Sequence, residues 1–126
     1  MFTYSPDFDP PAPCLQITLR HLAEPARTAA LTAQVDTGAD LTAVPQGIID
    51  SLELPDAGDL LVAGYDGRST RAPVYYLSLT VAGHTFDLFR VVAIPIDQAL
   101  LGRDALNHFY TRLSGPDLTF DLTTQA

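Results

Sequence analysis

Between Cys14 and Arg20 the residues alternate, with Leu15, Ile17 and Leu19 on one side and Gln16, Thr18 and Arg20 on the other. A period of two marks a strand with one buried face, because successive side chains leave the pleat in opposite directions. Thr28 to Val35 reads as a second strand, which Leu41 to Val44 resumes, and Leu60 to Ala63, Thr70 to Val81 and Thr85 to Val92 follow. Two final strands, the last from Leu118 to Leu122, end the pattern. Asp66-Gly67, Ala82-Gly83-His84 and Ser114-Gly115-Pro116-Asp117 supply the turns between them. Helix is confined to Gln46–Leu54, opened by Pro45 and closed by Pro55, and to a turn or two from Asp104 to Phe109 with Asp104 as N-cap. Many short strands with close turns and little helix predict an all-β, closed barrel-like domain.

The 126 residues suffice for one such core and no second one. Residues 1–13 carry prolines at 6, 10, 11 and 13, which remove donors and fix the backbone, so they read as an extended N-terminal arm before a domain over 14–126. That start lacks a basic segment followed by an apolar run, and no later stretch is apolar for long enough to span a bilayer. The expectation is a cytoplasmic protein with no membrane partner. The cations are seven Arg with no Lys, set against fifteen acids for a formal charge of −8, so nothing here could neutralise a run of nucleic-acid phosphates. Cys14 is the only cysteine, which rules out an internal disulfide and a cysteine-based metal site and reads as a small buried apolar residue.

Chemistry enters at Asp36-Thr37-Gly38, set among Ala33, Val35, Ala39, Leu41 and Val44. A carboxylate in apolar surroundings is unfavourable unless it is hydrogen-bonded, shares a proton or reacts. Two such carboxylates side by side cannot both ionise, so one serves as acid and the other as base, and together they activate a water for peptide hydrolysis. Thr37 would hold the pair rigid, and Gly38 would give room for the turn and for substrate. The tripeptide is also an ordinary turn between strands, and taken alone it leaves both readings open.

The longer segment Gln34-Val35-Asp36-Thr37-Gly38-Ala39-Asp40-Leu41-Thr42 resembles the active-site loop of retropepsins, the retroviral-type aspartic proteases. Ala99-Leu100-Leu101-Gly102-Arg103-Asp104-Ala105-Leu106 is similar to the family's segment that packs beside that loop and leads into a short helix. The hairpin from Leu61 to Thr70 stands where the family has its mobile flap. The resemblance runs from about Cys14 to Leu122 and implies a single-lobe acid-protease fold. It further implies an aspartic endopeptidase, a hydrolase that acts in proteolysis as a homodimer on peptide or protein substrates. Asp36, Thr37 and Gly38 would be its catalytic loop. Ala39 and Asp40, with Gly64, Tyr65, Asp66 and Gly67 of the hairpin, would contact substrate. Leu101, Gly102, Arg103 and Asp104 would support the site, with Arg103 paired to Asp40.

Asp97 lacks a following Thr/Ser-Gly and reads as a loop residue, so each chain supplies one catalytic aspartate. Two copies about a twofold axis would complete the dyad, with no cofactor and no metal. Leu31, Val44, Val62 and Leu101 are the apolar residues expected around the cleft, and Tyr75-Tyr76 is expected to pack one ring to each side of its strand. His21, His84 and His108 have no metal-site spacing, and no Gly-x-Ser-x-Gly stretch offers a serine nucleophile. A dyad that must keep one proton, in subunits that repel one another at neutral pH, predicts an acidic optimum. The other class open to such a chain is a catalytically inactive retropepsin-like module that dimerises or binds peptides without cutting them.

Overall fold

The computed structural model describes residues 1–64 and 66–126. Among these residues ten strands and two short α-helices follow one another: β1 (Phe2–Thr3), β2 (Cys14–Arg20), β3 (Thr28–Val35), β4 (Ala43–Pro45), α1 (Gln46–Leu52), β5 (Asp59–Ala63), β6 (Ser69–Val81), β7 (His84–Ile94), β8 (Ala99–Leu101), α2 (Arg103–Leu106), β9 (Tyr110–Ser114) and β10 (Thr119–Thr123). The alternation that marked Cys14 to Arg20 is realised, with Leu15, Ile17 and Leu19 buried.

Six strands close into a barrel in the order β2-β3-β8-β4-β7-β6, and β6 returns to β2. The thirteen-residue β6 serves two structures at once. Its last residues, Ser78 to Val81, pair with β2, while Ser69 to Pro73 run beyond the barrel and pair with β5 as a hairpin. The β6–β7 turn is tight, with Ala82 at φ 49° and Gly83 at φ 79°, the positive angles that a two-residue hairpin requires. Most pairings are antiparallel, but β3–β8 and β4–β7 are parallel. These parallel pairs bring the ends of β3 and β8 side by side.

The main core fills the barrel with Ile17, Leu19, Val44, Ile49, Leu77, Leu79, Val81, Val91 and Leu101. A second, smaller cluster of Ala43, Ala72, Val74 and Val92 lies beneath the hairpin, with Leu41, Leu60, Val62, Ile94, Ile96 and Leu100 packed against it. Outside the barrel, β1, β10 and β9 form a three-stranded sheet in which Phe2 pairs with Phe120. Phe120 reaches the main core, and the Phe2 ring stacks on it at 5.1 Å.

The proline-rich start does not run as an extended arm. After β1, Ser5 and Ala12 bond each other through both backbone amides, at 2.7 and 3.2 Å, so the residues between them form a closed loop. Alternation and proline content could not reveal this, because the closing bonds are made by backbone groups. Asp104 also departs from expectation: α2 begins at Arg103 with Gly102 at the N-cap position, and Asp104 lies in the first turn. Its carboxylate is bonded elsewhere, as described below. Tyr75 is half-buried against the main core and Tyr76 is exposed.

Candidate active site

Asp36 follows directly on β3. Val35 is in register with Leu101 of β8, and one residue later the Asp36 N–H donates to the Leu101 carbonyl at 3.0 Å. The loop then folds on itself, since Gly38 N–H donates to Asp36 Oδ1 at 3.0 Å and Ala39 N–H to the Asp36 carbonyl at 3.2 Å. The β8–α2 junction grips it from behind. Arg103 N–H donates to the Ala39 carbonyl at 2.9 Å and Asp104 N–H to the Asp40 carbonyl at 3.3 Å. The Arg103 guanidinium adds a 2.7 Å bond to the Thr37 carbonyl and a close ion pair with Asp40 Oδ1. A planar fork that reaches two acceptors fixes orientation in a way a lysine could not.

Beneath the loop lies Thr42, a polar side chain with no exposed surface. Its hydroxyl donates to Asp104 Oδ1 at 2.7 Å and accepts the Gly102 N–H at 3.1 Å, while its own N–H donates to Asp104 Oδ2 at 3.1 Å. The carboxylate expected to cap α2 is therefore used to tie the helix start to the Asp-Thr-Gly loop. Gly102 is required by proximity: a Cβ there would lie 2.6 Å from both the carbonyl carbon and oxygen of Leu41. Sequence reasoning gave Thr42 no role. A lone hydroxyl in the apolar run from Leu41 to Val44 was the available signal, since a buried polar group needs a partner.

The structure thus brings Asp36, Thr37, Gly38, Ala39 and Asp40 together with Leu101, Gly102, Arg103 and Asp104. Thr37, Gly38 and Asp40 are exposed, and Asp36 and Ala39 are half-buried, so the loop is held from behind and open in front. The hairpin residues Gly64, Asp66 and Gly67 form a separate group at the exposed β5–β6 tip, where Gly64 N–H donates to the Arg68 carbonyl at 2.9 Å. Tyr65, expected over the substrate, lies outside the described residues.

The apolar residues expected around a cleft need correction. Val44 and Leu101 have no exposed surface and Leu31 is also buried; all three point into the barrel core. Period-two alternation names the buried residues of a strand without saying which of its two faces meets the core. Only Val62 belongs to the cluster under the hairpin. The histidines have local roles. Buried His21 accepts the Ala23 and Glu24 N–H groups on Nδ1, at 3.1 Å each, while His84 and His108 both pack edge-on against Phe86. Among the described residues, no group of three or more His, Cys, Asp or Glu could hold a metal ion, and no helix is long and apolar enough to cross a membrane.

A closed barrel with an Asp-Thr-Gly loop locked to a Gly-Arg-Asp helix start is the single lobe of a retropepsin-like acid protease. Solved structures share the fold. The simian foamy virus (mac) protease in solution is 26% identical over 75% of this chain and 92% of its own, with a TM-score of 0.54. The EIAV protease complexed with the inhibitor HBY-793 is 19% identical over 83% of this chain and 91% of its own, with a TM-score of 0.62. A foamy viral protease-reverse transcriptase in complex with an RNA/DNA hybrid matches 76% of this chain at 21% identity and a TM-score of 0.56, over 12% of its own length. The chain belongs to the family described as "gag-polyprotein putative aspartyl protease", whose sequence model matches residues 27–108. No curated protein sequence matches it.

Proposed function

We propose that the chain is an aspartic endopeptidase whose dyad is formed by Asp36 of two copies meeting at a twofold axis. The observation that carries this is the contrast within the loop. Its backbone is bonded from behind by Leu101, Arg103 and Asp104, while its front is exposed at Thr37 and Gly38, with Asp36 half-buried beside them. An acid so firmly held and so freely presented is suited to meet a second one, and each chain carries one Asp-Thr-Gly.

In this reading one carboxylate of the pair is ionised and takes a proton from the water between them. The hydroxide formed attacks the peptide carbonyl carbon while the protonated carboxyl gives its proton to the carbonyl oxygen. Collapse of the tetrahedral species returns a proton to the leaving nitrogen. Thr37 braces the pair, and Ala39 and Asp40 meet the backbone of an extended peptide. Gly64, Tyr65, Asp66 and Gly67 close over it as the hairpin tip. Leu41, Val62, Ile96 and Leu100, from the cluster under the hairpin, replace the buried residues as the apolar lining.

Purified protein should cleave peptides, and Asp36→Asn should lower the rate about a thousandfold or more while sedimentation shows the dimer unchanged. Cleavage indifferent to that substitution would refute the assignment. Binding of peptides without any cleavage by the parent protein would favour the non-catalytic module. The rate should peak at acidic pH, because the pair must retain one proton and loses it as pH rises. A maximum well above neutrality in a rate–pH profile would contradict a shared-proton dyad.

A further inference from the structure

A cavity of about 290 Å³ opens near the end of β3 that leads to Asp36, lined by Asp7, Phe8, Gln34, Asp97 and Gln98. Three segments build it. Gln34 stands two residues before Asp36, on the face of β3 opposite to the buried Ala33 and Val35. Leu100 is its partner on β8, and Gln98 precedes that strand. Asp7 and Phe8 come from the N-terminal loop closed by the Ser5–Ala12 bonds. This third wall lies outside residues 27–108, the part that the family's sequence model matches.

The lining has a consistent chemistry. It carries two carboxylates, two side-chain amides and one aromatic ring, with no Arg or Lys among them. Gln98 Oε1 is shielded from solvent and has no hydrogen-bond partner among the described residues. A buried acceptor without a donor is uncommon in folded proteins and calls for an occupant. The field of Asp7 is felt nearby: burial first, and then the Asp7 charge, push up the thiol of Cys14, which is the cross-strand partner of Gln34.

We propose that this cavity receives an arginine or lysine side chain of the substrate, from a residue close to the cleaved bond. The inference rests on the endopeptidase reading and adds its specificity. The stem of such a side chain lies along Phe8, its N–H donors reach the side-chain amide oxygens, of which Gln98 Oε1 is without a partner, and its charge answers Asp7 and Asp97. At the low end of ligand-pocket volumes, the cavity has room for one long side chain.

Paired peptides that differ only in arginine against citrulline, its neutral near-isostere, test this. Cleavage by the full chain should favour the arginine peptide about tenfold, and the preference should shrink as salt is added. Asp7→Asn and Asp97→Asn alter exposed residues, and each should reduce the arginine-to-citrulline ratio; together they should bring it near one. Equal handling of the two peptides, a preference for leucine at that position, or a ratio untouched by both substitutions would overturn the inference while leaving proteolysis intact. If no peptide is cleaved, the endopeptidase reading fails by itself. The affinities of Asp36→Asn protein for the same two peptides, measured by fluorescence anisotropy, then decide the cavity's preference by the same ratio.

Discussion

The Asp-Thr-Gly loop and the β5–β6 tip are both turns that carry Asp and Gly, yet they are held in opposite ways. Residues 36–42 are bonded to residues 101–104, a segment distant in sequence, through backbone, hydroxyl, carboxylate and guanidinium groups. Around the tip, the bonds of Gly64, Gly67 and Arg68 stay within the turn itself, at 2.9 to 3.2 Å. Bonds that join distant segments break only when the fold opens, whereas local ones break with the turn. In the endopeptidase reading proposed above, the firmly bonded loop would be the fixed base and the locally bonded tip the part that moves over a peptide.

Substitutions can break the fixed side of this comparison or sharpen it. Gly102→Ala should have the largest effect, since its methyl would press into the Leu41 backbone with no flexible neighbour to yield. A loss of about 3 kcal/mol is expected, read as a lowered denaturation midpoint. Thr42→Val keeps the shape but strands the Gly102 N–H and weakens the hold on Asp104, at a cost of about 2 kcal/mol in the same assay. Gly67→Ala marks the other side. Its φ of 76° disfavours a side chain, but a Cβ there meets nothing within 4 Å. A loss of about 1 kcal/mol or less is expected, with any change in cleavage rate larger than the change in stability. Equal destabilisation at Gly102 and Gly67 would erase the distinction.

Much of this was legible in the sequence because it was local. Alternation located β2 and β3, Asp66-Gly67 located the hairpin, and the two quoted motifs located the loop and the helix start that bond to each other. What escaped depends on partners remote in the chain. Nothing near Asp104 discloses that its carboxylate is bound to Thr42, sixty-two residues earlier, and so a capping role was the natural reading. Val44 and Leu101 looked like cleft residues because they neighbour the motifs, yet the closed barrel turns them inward. The loop that brings Asp7 and Phe8 to the cavity is closed by backbone bonds, to which side-chain patterns are blind.

The pairing of β1 with β10 has a kinetic consequence. It joins the two ends of the chain and seats Phe120 in the main core, so this contact spans nearly the whole sequence. Closing so long a loop is entropically late, because little rewards it until the barrel it rests on exists. The outer sheet would therefore be the last part to assemble and the first to detach. A chain cut before β10 would retain every residue of the Asp-Thr-Gly loop and still lack the lid on its hydrophobic interior.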